Sequence, residues 1–448
     1  MNYNRIYRIL KNKYLLSLLS NGSNAFIGMI TLTVLFRHLT LDAMGEYGFF
    51  LTVLLFFDTF RSGFISTAFI NYYAGYSGAK KDQTAGAAWI IAGCITLVSL
   101  LVSGLTHFVV DFVDDSSVRL FLNYFGIIYT LSLPFFMANC VLQAQQQFGK
   151  LLIINLCYQG SLLLFILIAI IVGHIDVNTV IYCYMAANLF SSIIALLCGW
   201  TLITKIKSAT RNAIKELFNF GKYSVGTNMT ATLMSVFGTV VIKFLLGAPA
   251  LAIYNAGSKL VQIVELPLRS LVYAALPSMS ERYNTGDRRG VVSMMERYIG
   301  VFTLALVPVC LATIVFADWA ILILAGEKYV NTEAPNILRI YMLITLLFPA
   351  ERIIAMTIDV FRLPRINFMK VLVMVTAGSL TGFVAIYISG SVYAATLSSA
   401  VSVIIGLAIA LTAINRHGYP VSFLAMMRQG ATDIRQQARQ LKQRFVTK

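Results

Sequence analysis

Asp58 with Arg61 and Glu265 with Arg269 lie in stretches otherwise apolar enough to cross a membrane. The i, i+3 and i, i+4 spacings let each carboxylate partner its own guanidinium on one helix face. A charge at the centre of a bilayer helix costs about 2.5–3.5 kcal/mol on insertion scales, so such groups mark a polar route through the membrane. The carboxylates can carry protons or cations, and guanidinium groups suit phosphate oxygens through paired hydrogen bonds. Lys259 is the sharpest case, because no acid stands three or four residues to either side of it. It needs a partner elsewhere, water, or an anionic ligand. Lys259, Arg269, Arg61 and Arg352 are therefore candidate binders of a phosphate-bearing anion, and Asp58, Glu265 and Glu351 are candidate coupling or gating groups. The competing reading is that these charges form internal salt bridges.

The elements that carry them follow from composition. The chain has 448 residues, 58% hydrophobic and 12% charged, with a mean hydropathy of +0.77. That is a polytopic membrane protein. Apolar runs of about 20 residues, enough to cross a core of about 30 Å as a helix, recur along the whole length. Twelve are expected, starting near residues 15, 47, 87, 120, 151, 177, 223, 251, 299, 337, 368 and 392. The ten-residue alternation of a membrane β-barrel is absent, so the predicted fold is an all-α bundle. The first run follows Arg5, Arg8, Lys11 and Lys13, is too long for a signal peptide, and is expected to stay as a signal anchor. The six cysteines fall in apolar runs without metal-ligand spacing, so neither a disulfide framework nor a metal site is predicted.

Lys and Arg crowd into alternate connections, 26 of 35 on one side. Both termini are therefore expected in the cytoplasm. The net charge of +16 is topological; it implies contact with anionic phospholipids and no nucleic-acid role. In the tail, Ile434, Ala438, Leu441 and Phe445 share one helical face among basic residues, which predicts an interfacial amphipathic helix over 415–448.

The hydrophilic connection 204–222 divides the expected spans into lobes 1–203 and 223–414. Ser20-Asn-Gly-Ser-Asn24 corresponds to Ser224-Val-Gly-Thr-Asn228, Tyr47 and Asp58 to Tyr254 and Glu265, and Pro134 to Pro349. These matches suggest two six-helix repeats of the same orientation, related by a pseudo-two-fold axis. The first helix of each lobe has a polar face. Asn21 and Asn24 lie on one and Asn228 on the other, and with Gln262 they are candidate cavity-lining residues. Close packing through small residues is the alternative. No phosphate-binding glycine loop or nucleotide fingerprint occurs, so no enzyme, cofactor or direct ATP coupling is expected.

The early Asn-Gly-Ser-Asn segment, Gly45-Glu-Tyr47-Gly, Ala275-Leu-Pro-Ser-Met-Ser280 and Asp318-Trp-Ala-Ile-Leu-Ile-Leu-Ala-Gly-Glu-Lys-Tyr329 together resemble the polysaccharide transporter family. These are the O-antigen and lipid-linked oligosaccharide flippases of the multidrug/oligosaccharidyl-lipid/polysaccharide exporter superfamily. The resemblance implies two lobes around a central cavity with alternating access. It implies an undecaprenyl-pyrophosphate-linked oligosaccharide as substrate, turned over in the bacterial inner membrane, with cationic cavity residues receiving the pyrophosphate. Polysaccharide polymerase and chain-length machinery follow as candidate partners. The peptidoglycan-precursor flippases of that superfamily usually have two further helices. The alternatives are a multidrug or cation antiporter of the same superfamily and, from another class, a membrane polysaccharide polymerase or ligase. The latter would need an external catalytic region that no connection here is long enough to supply.

Overall fold

The protein, seen in a computed structural model, is described over residues 13–108, 110–173, 175–416 and 426–433. The regular structure of the described residues is helical. In order the principal helices are α1 Lys13–His38, α2 Leu41–Gly75, α3 Ala79–His107, α4 Ser116–Leu131, α5 Leu133–Ala144, α6 Phe148–Val172, α7 Val177–Leu197 and α8 Arg211–Leu246. They continue with α9 Ala248–Asn284, α10 Arg288–Val315, α11 Ala317–Ala325, α12 Glu327–Val330, α13 Ala334–Thr345, α14 Phe348–Val360, α15 Pro364–Ser389 and α16 Val392–Arg416.

Seven helices among the described residues are long and apolar enough to cross a membrane, or eight when α4 and α5 are taken as one span bent by 47°. The remaining places where spans were expected are also helical: α1, α8, α9, and α13 with α14. These carry the asparagines, Lys259, Glu265 and Arg352, whose polarity offsets their apolar content.

Local chemistry sets the helix starts. Asp115 accepts from the backbone N–H groups of Ser117 and Val118, and Thr40 from that of Ala43, so side chains satisfy donors that a helix leaves open at its first turn. Proline sets the breaks. Pro134 stands at the first turn of α5 just after the bend, and Pro349 holds the same place in α14. Each lacks the N–H that would continue the preceding helix.

The chain divides into two compact units, Met1–Val236 and Phe237–Lys448, and the division falls within α8. In the first unit, Phe50, Leu54, Phe121, Phe125 and Ile181 join α2, α4 and α7. Ile65, Phe69, Trp89, Met137 and Leu217 form a second cluster linking α2, α3, α5 and α8. The connection after α7 is itself ordered. Trp89 Nε1 donates to the Thr201 carbonyl at 2.8 Å, and Lys205 pairs with Asp82 at 2.7 Å. A Cβ at Gly86 would collide with the carbonyl oxygen of Lys205, so only glycine lets α3 approach this closely.

In the second unit, Met279, Val291, Met295, Ile299, Ile353 and Ile358 join α9, α10 and α14. Met426 belongs to the same cluster, because the helical residues 426–433 cross α10 where Gly300 meets Gly430. Arg297 pairs with Asp433 at 2.7 Å beside that crossing. The amphipathic positions expected from Ile434 onward lie outside the described residues.

Candidate functional site

The first unit holds the pair of Asp58 and Arg61 on α2. Arg61 Nη2 and Asp58 Oδ1 are 2.7 Å apart, with Arg61 2% and Asp58 42% exposed. Arg61 Nη1 donates to the Tyr129 carbonyl at 3.1 Å, and Nη2 also donates to Ser132 Oγ at 3.1 Å. The guanidinium lies 4.1 Å from the Tyr129 ring centroid and 4.5 Å from that of Phe136. The reason is the bend. α4 stops at Leu131, so the Tyr129 carbonyl belongs to a last turn whose acceptors need outside partners, and Arg61 supplies one. Arg61 is thus enclosed by protein on several sides, whereas the sequence reading made it a candidate helper in anion binding.

In the second unit a chain of alternating charges links α9, α14 and α15. Glu265 Oε1 meets Arg352 Nη2 at 2.5 Å, Arg352 Nε stands 3.6 Å from Glu351 Oε2, and Glu351 Oε1 accepts from Lys370 Nζ at 2.8 Å. Lys370 is 1% exposed, both carboxylates 15%, and Arg352 43%. The four charges sum to zero, which makes their burial tolerable. Arg352 is the member open enough to meet a ligand. Sequence spacing offers Arg269 as the partner of Glu265, and the structure shows a bond to Arg352, on another helix. The Arg269 side chain lies outside the described residues.

Lys370 was missed as a site residue because its neighbours Arg362 and Arg365 make it look like part of a basic connection. The signal that could have found it is Pro364: a helix starting there puts Lys370 nearly two turns inside.

Lys259 is half-buried on α9, six residues and so about 9 Å of helix rise before Glu265. Among the described residues it has neither an ion pair nor a hydrogen bond. It is therefore a half-buried lysine with no counter-charge among the described residues, the condition in which an anion is most strongly attracted.

The polar face of α1 turns at least partly toward α6. Asn155 Nδ2 donates to Ser20 Oγ at 3.2 Å, and Gln159 lies opposite Gly28. Asn24 Oδ1 is buried, with no hydrogen-bond partner among the described residues. Gln262 is exposed on α9. The side chains of Asn21 and Asn228 lie outside the described residues.

The sequence profile of the family described as "Polysaccharide biosynthesis protein" matches residues 10–282, and that of MatE matches residues 224–388. An inward-facing multidrug resistance MATE transporter of the MOP superfamily has a similar fold, with TM-score 0.74, 11% identity, and coverage of 88% of this chain and 95% of its own. The lipid II flippase MurJ, in an inward closed conformation, aligns with TM-score 0.73 and 12% identity, covering 94% of this chain and 91% of its own. A MOP superfamily transporter from Pyrococcus furiosus Vc1, described as having a binding pocket of reverse polarity, aligns with TM-score 0.57 and 13% identity over 91% of this chain and 97% of its own. No curated protein sequence matches the chain. The profile match spans more than half of the chain, and the helical architecture agrees with it: the protein belongs to the polysaccharide biosynthesis protein family.

Proposed function

We propose that the protein is a flippase that turns an undecaprenyl-pyrophosphate-linked oligosaccharide, such as an O-antigen repeat unit, from the cytoplasmic to the periplasmic leaflet of a bacterial inner membrane. The observation that carries this reading is Lys259, a half-buried cation with no counter-charge among the described residues. A pyrophosphate would supply one. Arg352 contributes a second cation, drawn from its bridge to Glu351 and Glu265, and Arg269 stands on the same helix as Lys259. The family match and the likeness to a lipid II flippase support a lipid-linked substrate. Asp58, Glu265 and Glu351 are the groups through which an ion gradient would couple to transport, since each can exchange a bridged cation for a proton. Twelve spans with both termini in the cytoplasm are part of the same proposal.

The MatE match over residues 224–388 favours a second reading, a multidrug or cation antiporter. Liposomes containing the purified chain and a fluorescent lipid-linked oligosaccharide separate the two. Lys259→Ala should slow flipping by about 10- to 100-fold, the weight of one or two hydrogen bonds to a charged group. Unchanged flipping by a folded Lys259→Ala protein would refute the assignment, and gradient-driven efflux of a small cation without lipid movement would establish the antiporter.

A further inference from the structure

In the second unit α15 and α16 form a helical hairpin turned over residues 389–392. They touch closely at two places. A Cβ on Gly382 would come within 2.9 Å of Ser398 Oγ, and one on Gly406 would strike the Met374 thioether. Beyond Gly406 the helices part. Between Ile366 on α15 and Ala408, Ile409, Thr412, Ala413 and Arg416 on α16 there is a cleft of about 540 Å³.

The walls of the cleft are mainly apolar. Its hydroxyl, Thr412 Oγ1, donates to the Ala408 carbonyl at 2.7 Å and so is already used within the helix. Charge enters at the open end. Arg416 is exposed in the last turn of α16, and Arg362 and Arg365 are exposed at the start of α15. The acid at this end, Asp359, accepts two hydrogen bonds from Asn367 Nδ2. Arg416 is the charged residue of the lining and leaves the mouth positive, while the Arg362 guanidinium lies 5.8 Å from the Tyr283 ring centroid. Both helices are long and apolar enough to cross a membrane, and α15 exposes Phe368, Met369, Leu372 and Val373. Such a surface meets lipid.

A ligand matched to this cleft is apolar for most of its length and anionic at one end. We infer that the cleft between α15 and α16 seats an acyl chain of an anionic phospholipid, with its phosphate against Arg416. The volume lies in the range of small-molecule sites, about 300–1,000 Å³. An apolar wall offers nothing to a free phosphate and has no free polar group with which to read a sugar. The attraction at the mouth is that of a guanidinium for phosphate oxygens, reinforced where lipid lowers the dielectric. This inference does not depend on which substrate the transporter carries.

The test is native mass spectrometry of the full chain released from mild detergent with equal amounts of phosphatidylglycerol and phosphatidylcholine. The wild type should retain phosphatidylglycerol preferentially. Arg416→Gln should reduce that preference at least three-fold, while Arg119→Gln, a basic residue of the first unit, should leave it intact. Ala413→Phe, which fills the cleft, should reduce retention of both lipids. Equal retention of the two lipids by the wild type, or an Arg416→Gln protein that behaves as wild type, overturns the inference. Displacement of phosphatidylglycerol by inorganic phosphate would make the mouth a free-anion site and overturn it. Preferential retention of undecaprenyl phosphate, lost in Arg416→Gln, would make the cleft part of a substrate path and overturn it equally.

Discussion

Arg61 shows how one side chain can hold a broken helix. Its guanidinium joins Asp58, the Tyr129 carbonyl and Ser132, and is covered by the Tyr129 and Phe136 rings. Removing one partner of a buried pair leaves the other uncompensated, which costs about 3–5 kcal/mol. Asp58 is partly exposed, so Arg61→Ala is expected near the lower end, about 3 kcal/mol, read as a lowered midpoint of denaturant unfolding in detergent. Loss of anion binding without loss of stability would instead give Arg61 the anion-binding role expected from the sequence. At the start of α7, the Thr179 hydroxyl and then the Thr179 backbone N–H hold the Asp176 carboxyl below its ordinary range. A lowered folded-state pKa adds stability above the unfolded value, about 3.9, and that stability is lost as pH falls through the folded value. Asp176→Ala should therefore cost about 1 kcal/mol at pH 7, as helix caps do, with the gap from wild type closing below about pH 4. Melting curves at pH 7 and across the acid range check both parts.

At the scale of elements, the charges of the second unit act between helices. Glu351 binds α14 to α15 through Lys370, and Arg352 binds α14 to α9 through Glu265. Contacting pairs of this kind couple by about 0.5–3 kcal/mol. A double-mutant cycle of Glu351→Gln and Lys370→Met should show coupling of that size in unfolding, and additive single effects would mean the bridge is idle. The i, i+3 and i, i+4 spacings made local pairs visible in the sequence, and Asp58 with Arg61 forms one. Bonds between helices were invisible because nothing in a linear spacing says which helix faces which. Glycine contacts belong to the same class. Gly86→Leu should weaken the first unit by about 1–3 kcal/mol, because the backbone of Lys205 and Ala209 occupies the space that a side chain needs. Thermal unfolding measures it.

For the whole molecule, the basic connections predict a fixed orientation. In a cysteine-free background, a membrane-impermeant maleimide applied to spheroplasts should label cysteines placed at Asp114 and Lys328 and spare those at Lys81 and Arg282. The reverse pattern would overturn the cytoplasmic placement of both termini. The all-helical class, membrane residence and the family were legible before any coordinates, because apolar length and backbone hydrogen-bond satisfaction leave a chain of this composition few options. Sequence alone also singled out Lys259, since the absence of a neighbouring acid is a local fact. Tertiary structure decided which partners the charges meet: Arg61 a helix end created by a bend, Lys370 the carboxylate of Glu351, and Arg352 that of Glu265 on another helix. Helical periodicity reports the direction in which a side chain leaves its own helix, while the partner it finds depends on how helices pack, and that is settled by contacts distant in sequence.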